Sequence, residues 1–135
     1  MKRTWYVSLK RTWYVSAKMT VRILVYGLLR RGEPMHGLLA GADFLGETRI
    51  PGYDLFDLGE YPAAHAGAGG ITAELYELPS PAVLDVLDRA EGVPTLFRRD
   101  LVEGAWLYVY ARPVEGAPRI TSGDWRSPPR PPSSH

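Results

Sequence analysis

Only one stretch of this chain carries a strong helix signature, and most of what surrounds it is patterned as strand. Ser80 is a good N-cap residue and Pro81 suits a first helical position. Val83, Leu84, Leu87 and Ala90 recur at helical spacing, with Asp85, Asp88 and Arg89 on the opposite face. Gly92 stops the helix and Pro94 follows it. Residues 21–26 are β-branched and apolar and end at Gly27, which reads as a buried strand. Residues 42–50 and 53–58 read as strands separated by a Pro51-Gly52 turn, and residues 71–78 as another. Residues 96–102 and 105–111 read as a hairpin or a neighbouring pair, and residues 34–42 as a second, short helix. This balance predicts an α+β domain: a small curled sheet or barrel with helices packed outside.

Length and composition narrow the function classes. A chain of 135 residues is one domain with room for a hydrophobic core. The absence of cysteine excludes disulfides, thiolate zinc sites and a cysteine nucleophile. No run reaches the ~20 apolar residues that span a bilayer. The N-terminus also lacks the continuous apolar segment of a secretory signal. The expectation is a cytoplasmic protein with no membrane partner; its oligomeric state is open. The net charge of +1 conceals an asymmetry. Lys2, Arg3, Lys10, Arg11 and Lys18 meet no acid within residues 1–18, which leaves 11 Lys and Arg against 15 acids, a net −4, in residues 19–135. An acidic body is a poor surface for tracking phosphates, so nucleic acid is not expected as a partner.

The two ends stand apart from this body. Lys2-Arg-Thr-Trp-Tyr-Val-Ser8 recurs as Lys10-Arg-Thr-Trp-Tyr-Val-Ser16, a period too short for a solenoid unit and present twice. Met19 then leads straight into the first strand, so residues 1–18 are expected as an arm outside the fold: a leader, or an interaction arm. Pro128, Pro129, Pro131 and Pro132 sit among Ser and Arg, and residues 126–135 are expected as a disordered tail. The domain itself is expected over residues 19–125.

Two places in that domain invite chemistry. Tyr26-Gly27-Leu28-Leu29-Arg30-Arg31-Gly32 follows a buried strand, and successive backbone N–H groups in such a turn form a concave site suited to a carboxylate. Gly27 allows a sharp turn and close ligand approach. By itself, one Gly after a strand marks a structural turn, and the pattern is not a phosphate loop. Glu91 is the last residue before the stop at Gly92. There it faces the negative end of the helix dipole, and any burial acts in the same direction, raising its pKa toward a range useful for proton transfer. Position alone leaves it either such a group or a solvated surface carboxylate. His36 and His65 are not spaced like ligands and His135 lies in the tail, so neither a metal nor a cofactor is expected. No Gly-x-Ser-x-Gly elbow is present. Trp106, Tyr108 and Tyr110 share one strand face and Leu107 and Val109 the other, of which one is expected to be core.

These residues together resemble a known pattern. The run from Val25-Tyr26-Gly27-Leu28-Leu29-Arg30 to Met35-His36 resembles the opening motif of the γ-glutamyl cyclotransferase-like family. Leu87-Asp88-Arg89-Ala90-Glu91-Gly92 with Phe97-Arg98-Arg99 resembles its helix-end signature, and the stretches around Tyr61-Pro62 and Glu74-Leu75-Tyr76 are similar too. The opening is closest to the γ-glutamylamine cyclotransferase branch. The resemblance implies a closed β-barrel flanked by short helices. It also implies release of 5-oxoproline and an amine from a small-molecule γ-glutamyl substrate. Tyr26, Gly27, Leu28 and Leu29 would hold the glutamyl head, and Glu91 would be the catalytic acid/base. Leu28 stands where relatives usually have Ser or Thr, and Phe97 where Tyr is more usual. A non-catalytic binding module on the same fold is the alternative.

Overall fold

The computed structural model describes residues 20–126, together with the backbone of residues 3–4 and 6–11. In chain order the elements are strands β1 (Arg3–Thr4), β2 (Tyr6–Arg11) and β3 (Arg22–Val25), then a 3₁₀ turn (His36–Leu39). Strands β4 (Asp43–Asp57) and β5 (Pro62–Glu77), helix α1 (Pro81–Glu91) and strands β6 (Phe97–Val102), β7 (Ala105–Tyr110) and β8 (Arg119–Ile120) complete the set. β1 and β2 pair with each other. The rest of the expected arm, and the expected tail beyond Arg126, lie outside the described residues.

The other six strands form one sheet in the order β6-β7-β3-β5-β4-β8. All of its pairings are antiparallel except that of β3 with β7. Alternation on β3 sends Leu24 to one side and Ile23 and Val25 to the other, and both sides are buried. Leu24, Tyr26, Ile50, Leu55, Ile71, Leu107, Val109 and Trp125 fill the inside of the curl. Ile23, Val25, Tyr76, Phe97 and Tyr108 face Leu84 and Leu87 of α1 and Leu39 of the 3₁₀ turn. The β7 aromatics therefore do not mark one core face against a surface face: Leu107, Tyr108 and Val109 are all buried.

The expected closed barrel is not what forms. The sheet is open, with β6 and β8 as its two edges and no ladder between them. Closure requires the last strand to pair along the first with a consistent stagger. Here the last strand is two residues long and reaches only Leu55 and Phe56 of β4. The curl is instead spanned by a side chain: the Tyr53 hydroxyl of β4 donates to Asp100 of β6 at 3.0 Å.

Two further readings need correction. Pro51-Gly52 is not a turn between strands but lies inside β4, where the register with β5 shifts between Pro51 and Tyr53 and the extra residues bulge out of β5. Pro51 is the last paired position before this irregularity, and Gly52 supplies φ 92°. Residues 62–70, which lie outside the strands expected at 53–58 and 71–78, form the first half of β5. Their Ala and Gly residues let the Asp54 and Arg49 side chains lie across the strand. The helix reading holds: Pro81 opens α1 and Gly92 ends it in the left-handed region, although the Ser80 side chain makes no capping bond. The expected helix at residues 34–42 is the 3₁₀ turn.

One buried ion pair fastens the segment after β3 to the middle of the sheet. Glu74 of β5 accepts from Arg30 Nε at 3.1 Å, from the Arg31 backbone N–H at 3.0 Å and from the Tyr76 hydroxyl at 2.9 Å. Arg30 also donates to Asp124 at 2.9 Å and reaches Glu47 at 3.5 Å. Burial alone would raise the Glu74 carboxyl, but these donors outweigh it and hold the group below its ordinary value. Replacing Glu74 with Ala removes the buried carboxylate partner of Arg30 Nε and the acceptor of the Arg31 N–H and the Tyr76 hydroxyl, and we expect a loss of roughly 3–5 kcal/mol in denaturant unfolding. Because the folded pKa is the lower one, this stability is present above the unfolded value of about 4.3 and lost as pH falls through the folded value. Glu74→Gln should therefore flatten the acid limb of the wild-type stability curve.

Candidate active site

The strand β3 ends where the chain turns, and the turn lies against the end of α1. Between them is a cavity of about 150 Å³ whose lining includes Tyr26, Gly27, Leu28 and Leu29 on one side and Ala90 and Glu91 on another. Met35, Tyr61, Pro62, Leu96, Phe97 and Tyr108 make up much of the remaining wall. All five residues singled out from the sequence are thus brought to one space. A volume of this order accommodates a molecule the size of benzene.

The polar groups open to a ligand are few. The Tyr26 hydroxyl donates to the Tyr108 carbonyl at 2.8 Å and accepts from the Ala64 N–H at 3.1 Å. The Tyr108 hydroxyl donates to Asp88 at 2.7 Å, and Arg99 holds the same oxygen at 3.0 Å. Both phenols are therefore structural, and burial first of all raises their pKa values. The Glu91 carboxyl, by contrast, has no hydrogen-bond or ion-pair partner among the described residues. Nor do the N–H groups of Leu28 and Leu29 donate to any described acceptor. The Tyr61 hydroxyl is likewise unpaired among the described residues, with its ring 6.0 Å from that of Phe97.

Burial in this largely apolar wall pushes the Glu91 carboxyl up to about 7. The expected direction is borne out. The cause is desolvation, whereas the sequence argument began from the helix dipole. Sequence reasoning did not place Tyr61 or Pro62 in the lining, and for the row Trp106, Tyr108 and Tyr110 it allowed a pocket wall but favoured packing; Tyr108 lines the cavity. Tyr61 and Pro62 reach the site at the start of β5 and Tyr108 on β7, both brought beside β3 by nonlocal pairing.

Gly27 is required for a reason the sequence did not disclose. Its φ is not in the left-handed region; a Cβ on it would stand 2.6 Å from Cγ and 2.8 Å from Cδ of Pro62. Gly27→Ala must push apart the two walls that meet there, and we expect about 1–3 kcal/mol of destabilisation in thermal or denaturant unfolding. Glu91 gives a second prediction, opposite in sign to Glu74. Its folded pKa is raised, so its contribution to stability is complete below about pH 4.3 and lost as pH rises through 7. Wild-type stability should include a component that falls between those values, and Glu91→Gln should remove it.

Known proteins resemble this chain in sequence and fold. The family model described as gamma-glutamyl cyclotransferase, AIG2-like, matches residues 23–127. The gamma-glutamylcyclotransferase family protein YtfP of Escherichia coli K12 is 38% identical over 109 residues, covering 78% of this chain and 96% of that protein. A putative gamma-glutamylcyclotransferase of Vibrio cholerae is 40% identical over 108 residues, covering 76% and 93%. The crystal structure of PH0828 from Pyrococcus horikoshii superposes with a TM-score of 0.68 at 38% identity, covering 77% of this chain and 88% of that one. A match over most of the domain, in sequence and in structure, places the chain in the gamma-glutamyl cyclotransferase, AIG2-like family.

Proposed function

We propose that the protein cyclises a γ-glutamyl amine or peptide to 5-oxoproline and releases the amine, with Glu91 as general acid/base. The observation that carries this reading is the Glu91 carboxyl, unpaired and raised to about 7, on the wall of the cavity that residues 26–29 also line.

The chemistry needs little from the protein. The substrate's own α-amine attacks its γ-carbonyl carbon, a C–N bond closes the five-membered ring, and the original γ-amide C–N bond breaks. No water is consumed and no protein nucleophile is required. Because the nucleophile is tethered, holding a folded near-attack conformation supplies much of the rate. An α-amine of pKa about 8 is largely protonated at neutral pH, so a base must accept its proton, and the departing nitrogen must receive one. A carboxyl poised near 7 can do both in turn. The free N–H groups of Leu28 and Leu29 are suited to the α-carboxylate. Leu28 itself offers no hydroxyl, and the Tyr61 hydroxyl is a further donor in the lining with no partner among the described residues.

The test is a panel of γ-glutamyl amines and peptides assayed for 5-oxoproline. We expect turnover by the wild type, with kcat/KM rising through an acid limb near pH 7 as Glu91 ionises. Glu91→Gln should lower it by roughly 10²–10⁴. Tight binding without product would contradict the enzyme reading and leave the chain a binding module; full activity in Glu91→Gln would remove that residue from the mechanism.

A further inference from the structure

In residues 27–29 every carbonyl is committed, while the Leu28 and Leu29 amides meet no acceptor among the described residues. The Gly27 carbonyl accepts the Arg30 N–H at 3.0 Å, and the Leu28 carbonyl accepts the Met35 N–H at 2.9 Å. The Leu29 carbonyl lies 2.8 Å from His36 Nδ1. A carbonyl only accepts, so Nδ1 carries the hydrogen in this contact.

Peptide planarity turns these three bonds into one device. A carbonyl and the N–H of the next residue belong to one rigid plane, so tethering the oxygen also aims the hydrogen. The plane that His36 holds by the Leu29 oxygen carries the Arg30 N–H, which in turn holds the Gly27 oxygen. That second plane carries the Leu28 N–H. The Met35 N–H tethers the plane that carries the Leu29 N–H, and Met35 is the immediate neighbour of His36. Of the three tethers, His36 provides the only one made by a side chain. Its ring is half-buried against Tyr76, 5.7 Å between centroids, and the Tyr76 hydroxyl is itself fixed on Glu74.

We infer that His36 is a positioning residue for substrate binding: its Nδ1–H bond to the Leu29 carbonyl keeps the Leu28 amide aimed, beside the Leu29 amide that Met35 aims, to receive the substrate's carboxylate, and its imidazole transfers no proton. This rests on the cyclotransferase reading for its consequence in catalysis, but its structural half stands without it. Dispersed small donors of this kind are pre-organised at no cost during binding, so their loss should appear chiefly in KM.

Two substitutions separate positioning from chemistry. In Asn the side-chain amide nitrogen is attached to Cγ, as Nδ1 is in His, and donates from the same place; Leu fills the space without donating. With a γ-glutamyl amine that the wild type turns over, His36→Leu should raise KM by about tenfold to a hundredfold, the equivalent of one charge-assisted hydrogen bond. The pH profile set by Glu91 should stay in place, and His36→Asn should recover most of the loss. In the ligand-free protein, amide hydrogen exchange at Arg30 should accelerate in His36→Leu and return toward wild type in His36→Asn. Wild-type KM and Arg30 exchange in His36→Leu would overturn the inference. So would a His36→Asn variant as impaired as His36→Leu, because the imidazole itself would then be needed. A wild type that forms no 5-oxoproline would defeat the cyclotransferase reading, while the exchange measurement would still decide whether His36 holds the loop.

Discussion

The cavity exists because a buried carboxylate on the central strand β5 grips the chain just beyond residues 26–29. Glu74 takes one hydrogen bond from the Arg30 side chain and another from the Arg31 backbone, so the exit of the loop is fixed to the sheet. Its entry is fixed by Tyr26, whose hydroxyl bridges the Tyr108 carbonyl of β7 and the Ala64 amide of β5. Between these anchors the chain has little freedom, and Pro62 presses against Gly27 where a Cβ would not fit. The result is a short backbone segment anchored at both ends, whose Leu28 and Leu29 amides meet no acceptor among the described residues.

The protein therefore uses two largely enclosed glutamates in opposite ways. Glu74 is surrounded by donors and is kept ionised; Glu91 is surrounded mainly by apolar side chains and is driven toward its neutral form. The first arrangement builds structure, since an ionised carboxylate with its donors satisfied tolerates burial. The second suits proton transfer, since neither protonation state is strongly preferred near neutrality. The distinction lies in the neighbours, not in the residue type.

How far the sequence discloses this follows the range of the interactions. Helix α1 was legible because its signals are local: Pro81 at the start, the spacing of Val83, Leu84 and Leu87, and Gly92 at the stop. Glu91 was legible as an oddity at that stop, and the resemblance joined it to residues 26–29. The open sheet was not, because whether β6 and β8 meet depends on strand lengths and curvature far apart in the chain. Pro51-Gly52 looked like a turn since an irregularity inside a long strand uses the same residues as a turn. Glu74 was concealed for a related reason. In Ala73-Glu74-Leu75-Tyr76 an acid in an alternating strand reads as the solvent face, yet that face is covered and Arg30 comes from 44 residues away.

The account stands on one spatial relation, an uncharged-leaning carboxyl across a small space from two unused amides. A crystal structure with 5-oxoproline bound tests it most directly. The account predicts the ligand's carboxylate at hydrogen-bond distance from the Leu28 and Leu29 N–H groups, with its ring nitrogen within reach of Glu91. A ligand seated outside this cavity, or a Glu91 side chain turned away from it into solvent, would contradict it.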